Sequence, residues 1–209
     1  MLFGIRRGQL EQGTAASTRI WTPREVAKGF TAPNRAESTL IQPMCQPLLL
    51  LDIDGVISLF GFDVKTPPAG RYQLVDGIVH FLSTTVADFL HELSQAFELV
   101  WCSGWEEKAD EVLPAVLGVP KGMRHLTFLP SADAPPRHWK LASIEAFAGP
   151  RRALVWVDDA FDATCHAWAA HRAGPTRLLQ TDPAVGLRHA QAADLLSWAA
   201  ALPTSEADC

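Results

Sequence analysis

The chain has 209 residues, 48% of them hydrophobic, and a formal net charge of −5. This length allows one domain with a large core, together with a tail. The negative charge argues against non-specific nucleic-acid binding as the main role, although a local basic groove could exist within it. No apolar run reaches the length of a membrane span, so we expect no membrane partner.

The four cysteines indicate a reducing compartment. Cys45, Cys102, Cys165 and Cys209 form no CxxC pair and show no spacing typical of metal ligands. Cys102 and Cys165 fall within apolar patterns, where a free thiol serves as a small core residue. The first residues also lack a continuous apolar stretch that could act as a signal peptide. We therefore expect a cytoplasmic protein.

Residues 1–46 show no sustained hydrophobic periodicity and are predicted to form a flexible N-terminal extension, with a docked short helix capped by Thr22 as the alternative. Met44 stands just before the first apolar run, which suggests that Met44 is the natural start. An abundant native peptide from residues 1–43 would refute that hypothesis. We expect one folded domain over residues 47–203 and a C-terminal tail over residues 204–209.

The first strong signal is the run Leu48–Val56, in which four leucines lead into Asp52, Asp54 and Gly55. Such a run predicts a strand buried on both faces, as in a parallel sheet. Two acids that are two residues apart point the same way along a strand, and the glycine lets the chain turn sharply. The pattern favours a hard cation such as Mg²⁺, with a plain strand-end turn of solvated acids as the alternative.

Short strand-like pieces follow at residues 56–60, 72–75 and 78–81, separated by glycine and proline. They predict a β-hairpin flap close to the acids. The interval before the next core element is too short for a large inserted cap domain.

Helical and strand patterns then alternate, which predicts an α/β fold with a Rossmann-like, doubly wound parallel sheet. Strands are predicted at residues 97–102, 126–129, 153–157 and 177–179, and helical patterns begin near residues 84, 105, 139 and 161. A last helix is predicted to bury Leu195, Trp198, Ala199 and Leu202. Polar groups end three of the strands: Asp52 with Asp54, then Ser103, then Asp158 with Asp159. Lys140 lies near the start of a helix.

The carboxyl ends of parallel strands share one edge of the sheet, so these groups can meet. Together they suit phosphoryl transfer. A carboxylate can attack phosphorus, Mg²⁺ held by further acids can neutralise charge, and a hydroxyl with a lysine can hold the phosphate oxygens. A second carboxylate can protonate the leaving oxygen and later deprotonate water.

In combination and order, these motifs resemble the haloacid dehalogenase (HAD) superfamily over residues 47–202. The resemblance implies that Asp52 is the nucleophile and Asp54 the general acid/base, whose backbone carbonyl helps to bind Mg²⁺. It also maps the family's hydroxyl to Ser103 and its lysine to Lys140. Because dehalogenases lack the second acid, Asp54 favours phosphatase chemistry.

In the same resemblance, Asp159 is expected to be the direct metal ligand, and Asp158 orients Lys140 or a metal-bound water. The short gaps between motifs are similar to those of the capless branch, and residues 99–105 are similar to small actinobacterial proteins of the HAD type. An open site suits large substrates such as phosphoprotein or nucleic-acid ends. It also suits small phosphoesters if the flap or a partner closes it.

Trp105 and the histidines are further polar or aromatic residues that could belong to the site. Trp105, beside Ser103 and Gly104, is expected to line the leaving-group pocket. Substrate binding is therefore expected to involve Ser103, Gly104, Trp105 and Lys140. The histidines show no metal-binding spacing and are interpreted as surface residues or satisfied core residues.

The sequence thus predicts a Mg²⁺-dependent phosphomonoester hydrolase that forms an aspartyl phosphate on Asp52. One alternative is a polynucleotide or phosphoprotein end phosphatase; nucleic acid is possible but not indicated by the charge. The other is a non-catalytic binding or regulatory module of the same fold. The intact pair of acids counts against that module, because simple binding has no need of Asp54.

Overall fold

The computed structural model describes residues 46–128 and 137–203. The predicted N-terminal extension, the Met44 hypothesis and the C-terminal tail lie outside the described residues, so the domain boundaries stay predictions. The strands are β1 (Leu48–Leu51), β2 (Ser58–Leu59), β3 (Gly70–Val75), β4 (Ile78–Ser83), β5 (Glu98–Trp101), β6 (Arg124–His125), β7 (Leu154–Asp158) and β8 (Thr176–Gln180). The helices are α1 (Val86–Leu93), α2 (Glu107–Leu117), α3 (Leu141–Ala148), α4 (Ala163–His171) and α5 (His189–Ala200).

Strand β1 is the centre of a five-stranded parallel sheet with the order β6-β5-β1-β7-β8. All four of its leucines are fully buried, and it pairs with β5 on one side and β7 on the other. Each buried leucine stabilises the fold by about 1.5–3 kcal/mol. The run of leucines is therefore explained by a strand that contacts the core on both faces.

Helices cover both faces of this sheet, as predicted for a doubly wound fold. Leu49 and Leu51 face a core formed with α1, α2 and α5. Leu48 and Leu50 face a second core formed with α3 and α4. The alternation of β1 side chains between two cores follows from the two-residue period of a strand.

None of the helices in the described residues has the length and hydrophobicity that a membrane span requires.

A second, antiparallel sheet with the order β2-β4-β3 contains the predicted hairpin. Asp76 and Gly77 connect β3 to β4, and both have positive φ angles, which is typical of a two-residue hairpin turn. Strand β2 adds a third strand to the expected flap, because Ser58 and Leu59 pair with the end of β4. The described residues between β1 and α3 hold no inserted domain beyond this sheet.

The prediction of a strand at residues 126–129 is wrong for residues 126–128, and residue 129 lies outside the described residues. The structure places β6 two residues earlier, at Arg124–His125, where it pairs with the last two residues of β5. Leu126 donates one more hydrogen bond to Trp101, and the chain then leaves the sheet because β5 itself ends there. Phe128 instead donates its backbone N–H to the carboxylate of Glu106.

Candidate active site

The predicted polar groups lie at the carboxyl edge of the parallel sheet. Asp52 follows β1, Ser103 follows β5, and Asp158 is the last residue of β7. Lys140 precedes α3 and reaches the same edge. These four side chains are buried, although polar groups are seldom buried without a partner. The edge is therefore a polar centre within an apolar sheet.

Lys140 joins two of the acids. Its Nζ atom lies 2.7 Å from Oδ2 of Asp52 and 2.7 Å from Oδ2 of Asp158. Asp158 Oδ2 also accepts a hydrogen bond from Nε1 of Trp156 at 3.0 Å, and its Oδ1 accepts one from the backbone N–H of Ala160 at 3.1 Å. Asp158 is thus held in place from three directions, and Lys140 is directed at Asp52.

Burial and charge act against each other at this centre. Burial raises the pKa of Asp52 to about 6, although the ammonium of Lys140 opposes that rise. For Lys140, burial opposes the charged form, but the charges of Asp52 and Asp158 outweigh it and raise the pKa above its ordinary value. At neutral pH Asp52 is therefore ionised and Lys140 protonated. Burial also raises the pKa of the Cys102 thiol far above its usual range, so this thiol stays protonated.

Three carboxylates in the described part of the chain are close enough to share a cation. Asp52, Asp158 and Asp159 each offer an oxygen, and these atoms lie within 4.8 Å of one another. Burial, followed by the charge of Asp158, raises the pKa of Asp159, as expected when acids crowd together without a cation. A set of carboxylate oxygens fits a hard divalent ion such as Mg²⁺. The carboxylate of Asp54 is not in this group.

Gly55 makes room for the third carboxylate. Its φ angle is +71°, and a Cβ atom built on it would lie 2.4 Å from Cγ of Asp159. The backbone N–H of Gly55 donates to Ser58 and its carbonyl accepts from the hydroxyl of Thr181. The glycine is therefore needed both for the turn after β1 and for the position of Asp159.

Asp54 has surroundings quite unlike those of Asp52. Its side chain is 50% exposed, and Oδ1 lies 3.7 Å from Nδ1 of His80 on β4. Oδ2 accepts a hydrogen bond from Nε1 of Trp105 at 3.2 Å. His80 contacts the Trp105 ring edge-to-face, and its Nδ1 is 3.0 Å from the hydroxyl of Ser58. Asp54 therefore stands at the solvent side of the site, held between the flap and Trp105.

His80 is the residue that sequence reasoning missed. It was grouped with the surface and core histidines, since its position in sequence shows no metal-binding spacing. The available signal was its place in a predicted strand of the flap. Because that flap is predicted to lie close to the acids, a polar residue in it is a candidate for contact with Asp54.

Ser103 and Gly104 follow β5 at the same edge. Ser103 is buried, yet its hydroxyl makes no hydrogen bond to any residue in the described ranges. Gly104 is exposed, and a Cβ atom built on it would lie 3.9 Å from Cη2 of Trp139. A hydroxyl at the edge that carries the acids suits an incoming oxygen ligand.

Two other polar residues near these motifs have structural partners. Arg137 forms an ion pair with Glu145 of α3 at 3.0 Å. Asp162 accepts hydrogen bonds from the Thr164 hydroxyl and from the backbone N–H groups of Thr164 and Cys165 at the start of α4, and these bonds lower its pKa to about 2. Asp162 therefore stabilises a helix start.

The comparison with known families agrees with this geometry. A family model described as "HAD domain in Swiss Army Knife RNA repair proteins" matches residues 48–192. The comparison with curated proteins gives no match. The matched range includes every residue of the polar edge, from Asp52 to Asp159. The chain therefore belongs to the HAD superfamily, in the family of HAD domains of Swiss Army Knife RNA repair proteins.

Proposed function

We propose that this protein is a divalent-metal-dependent phosphatase that removes a terminal phosphate from RNA. The observation that carries the proposal is the contrast between two acids that are two residues apart. Asp52 is buried and ion-paired with Lys140, whereas Asp54 is half exposed and hydrogen-bonded to Trp105. Two carboxylates in such different surroundings suit two different roles, a nucleophile and a general acid/base.

The oxygens of Asp52, Asp158 and Asp159 would hold the metal ion. The bound cation would supply charge neutralisation at the phosphate. Lys140 adds a positive charge in contact with Asp52 and Asp158, and the Ser103 hydroxyl adds a donor. These groups are aimed at the region where negative charge must be accommodated during phosphoryl transfer.

In the first step, a carboxylate oxygen of Asp52 forms a bond to phosphorus while the bond to the leaving oxygen breaks. The carboxyl group of Asp54 gives its proton to that leaving oxygen, which departs as a hydroxyl. In the second step, Asp54 takes a proton from water, the water oxygen binds phosphorus, and the acyl phosphate breaks to release phosphate and Asp52. Trp105 and His80 keep Asp54 in position for both steps.

The substrate class rests on the family description and on the open site. The matching family is described by its occurrence in RNA repair proteins, a context in which phosphorylated RNA ends arise. Half of the Asp54 side chain is exposed beside the three-stranded flap, so a polymer end can reach it. No feature of these residues favours the alternatives, a phosphoprotein end or a non-catalytic binding module.

The test is phosphate release from short RNA and DNA oligonucleotides phosphorylated at the 3′ or the 5′ end, with p-nitrophenyl phosphate as a small reference. Each is measured with Mg²⁺ and with a chelator, for the wild type, Asp52→Asn and the matched control Asp88→Asn, which changes an exposed acid on α1. We expect metal-dependent release from an RNA end, lost in Asp52→Asn and kept in Asp88→Asn. Release that survives in Asp52→Asn, or none from any RNA end, would contradict the proposal.

A further inference from the structure

Trp139 is an exposed aromatic ring at the edge of the proposed site. Its residue is 55% exposed, and it is the only tryptophan of the described ranges in the exposed class. The ring is nevertheless held, because Phe128 contacts it edge-to-face with centroids 4.6 Å apart. A large ring that is fixed but open to solvent is suited to bind a flat partner.

The ring lies close to the reacting groups. Its centroid is 5.1 Å from Nζ of Lys140, which is itself 2.7 Å from Oδ2 of Asp52. The ring also lies near Gly104, since a Cβ atom built on that glycine would be 3.9 Å from Cη2 of Trp139. The Trp139 ring therefore lies between the Ser103–Gly104 turn and the start of α3. A molecule whose phosphate reaches Asp52 and Lys140 can therefore contact this ring.

A groove continues from Trp139 between β6 and α3. Its volume is about 530 Å³, within the range of small-molecule sites. Trp139 forms one part of its lining and Phe147 another, with the side chains of His125, Thr127 and Ser143 between them. Leu126, Ala142 and Ala146 complete the lining, so the groove is mostly apolar with a few polar groups, which is the surface that the face and edge of a nucleobase require.

We propose that Trp139 and this groove bind the base of the nucleotide at the phosphorylated end, with the base stacked on the indole. The inference rests on the proposed function, because it assigns the base-binding part of the same site. Stacking on an aromatic ring accepts any base, since every base has a π face. The stack would position the terminal phosphate between Lys140 and the Ser103 hydroxyl without distinguishing one base from another.

The experiment compares two RNA substrates with the same phosphorylated end, one with its end base and one abasic at that nucleotide. The ratio of their kcat/KM values measures what the base contributes. In the wild type we expect the base to raise kcat/KM, and Trp139→Ala to reduce this ratio by about 5- to 150-fold. Trp139→Phe should keep most of the ratio. The control Tyr72→Ala, which removes another exposed ring on β3, should leave the ratio unchanged.

A second measurement separates the two proposals. Binding of the same RNAs, labelled with a fluorophore, is measured by anisotropy in Asp52→Asn and in Asp52→Asn with Trp139→Ala. If the wild type releases phosphate but Trp139→Ala leaves the ratio unchanged, the stacking site is refuted and the phosphatase stands. If no phosphate is released but Trp139→Ala weakens binding only of the base-bearing RNA, the phosphatase is refuted and the stacking site stands. If the RNA is neither cleaved nor bound, both fail.

Discussion

Lys140→Met tests the electrostatic account of the site, because it removes one buried cation from between two carboxylates. Methionine keeps the length of the side chain without its charge. Removing one partner of a buried ion pair costs about 3–5 kcal/mol, since the remaining charge is left uncompensated. Here Asp52 and Asp158 both lose the 2.7 Å contact to Nζ. We therefore expect a loss of about 3–5 kcal/mol in the free energy of unfolding at about pH 8.

The loss of stability in Lys140→Met is expected to be smaller at acidic pH than at neutral or basic pH. In the wild type the pKa of Lys140 lies above its ordinary 10.5, so the stability from the pair is complete below 10.5 and lost only above the raised value. The pKa of Asp52 is already raised to about 6 with Lys140 present. Without the ammonium this pKa rises further, so the variant binds protons more readily as the pH falls. The deficit relative to the wild type should therefore shrink as the pH falls from the variant's higher Asp52 pKa to about 6, and change little below that pH.

The assay is urea unfolding of both proteins at about pH 8 and about pH 5, with a chelator present. Lys108→Met is the matched control, since Lys108 is an exposed lysine that pairs with Asp76 at the surface, and it should change stability little at either pH. A deficit in Lys140→Met that is the same at both pH values, or that is absent at pH 8, would refute the reasoning.

Three further predictions concern the metal ligands and Asp54. Gly55→Ala should destabilise the protein by about 1–2 kcal/mol or more and weaken Mg²⁺ binding, measured by urea unfolding and calorimetry, because the methyl group strains the left-handed backbone and displaces Asp159. Gly61→Ala, with a similar φ angle but open space around it, should keep the Mg²⁺ affinity. Mg²⁺ should raise the melting temperature of the wild type but not of Asp159→Asn. Trp105→Phe, which removes the donor to Asp54, should slow hydrolysis of an RNA end about 10-fold and of p-nitrophenyl phosphate less, because the nitrophenolate leaves without a proton.

Much of the fold could be predicted from the sequence because β1 is an unusually apolar strand. A run of four leucines followed by two acids fits a central parallel strand, and the structure buries all four. The acids, Ser103 and Lys140 were predicted to meet because parallel strands share one carboxyl edge. The distances from Lys140 to Asp52 and Asp158 agree with that expectation.

The features that were missed depend on contacts between distant parts of the chain. β6 has only two residues because β5 ends early, and nothing in residues 126–129 reveals where the neighbouring strand stops. His80 contacts Asp54 through the fold of the flap, which brings together residues 26 positions apart. Trp139 shows the same limit, because its place at the start of a predicted helix does not reveal that its ring is exposed beside Lys140.

The central claim is that Asp52 becomes phosphorylated during turnover. The direct measurement is mass spectrometry of the peptide containing Asp52, after an acid quench of the reaction with a phosphorylated RNA end and Mg²⁺. We predict one added phosphoryl group on Asp52 in the wild type, lost on hydroxylamine treatment, and none in Asp52→Asn. Phosphate release by the wild type with no phosphorylated Asp52 peptide at any time point, including the earliest, would contradict the account.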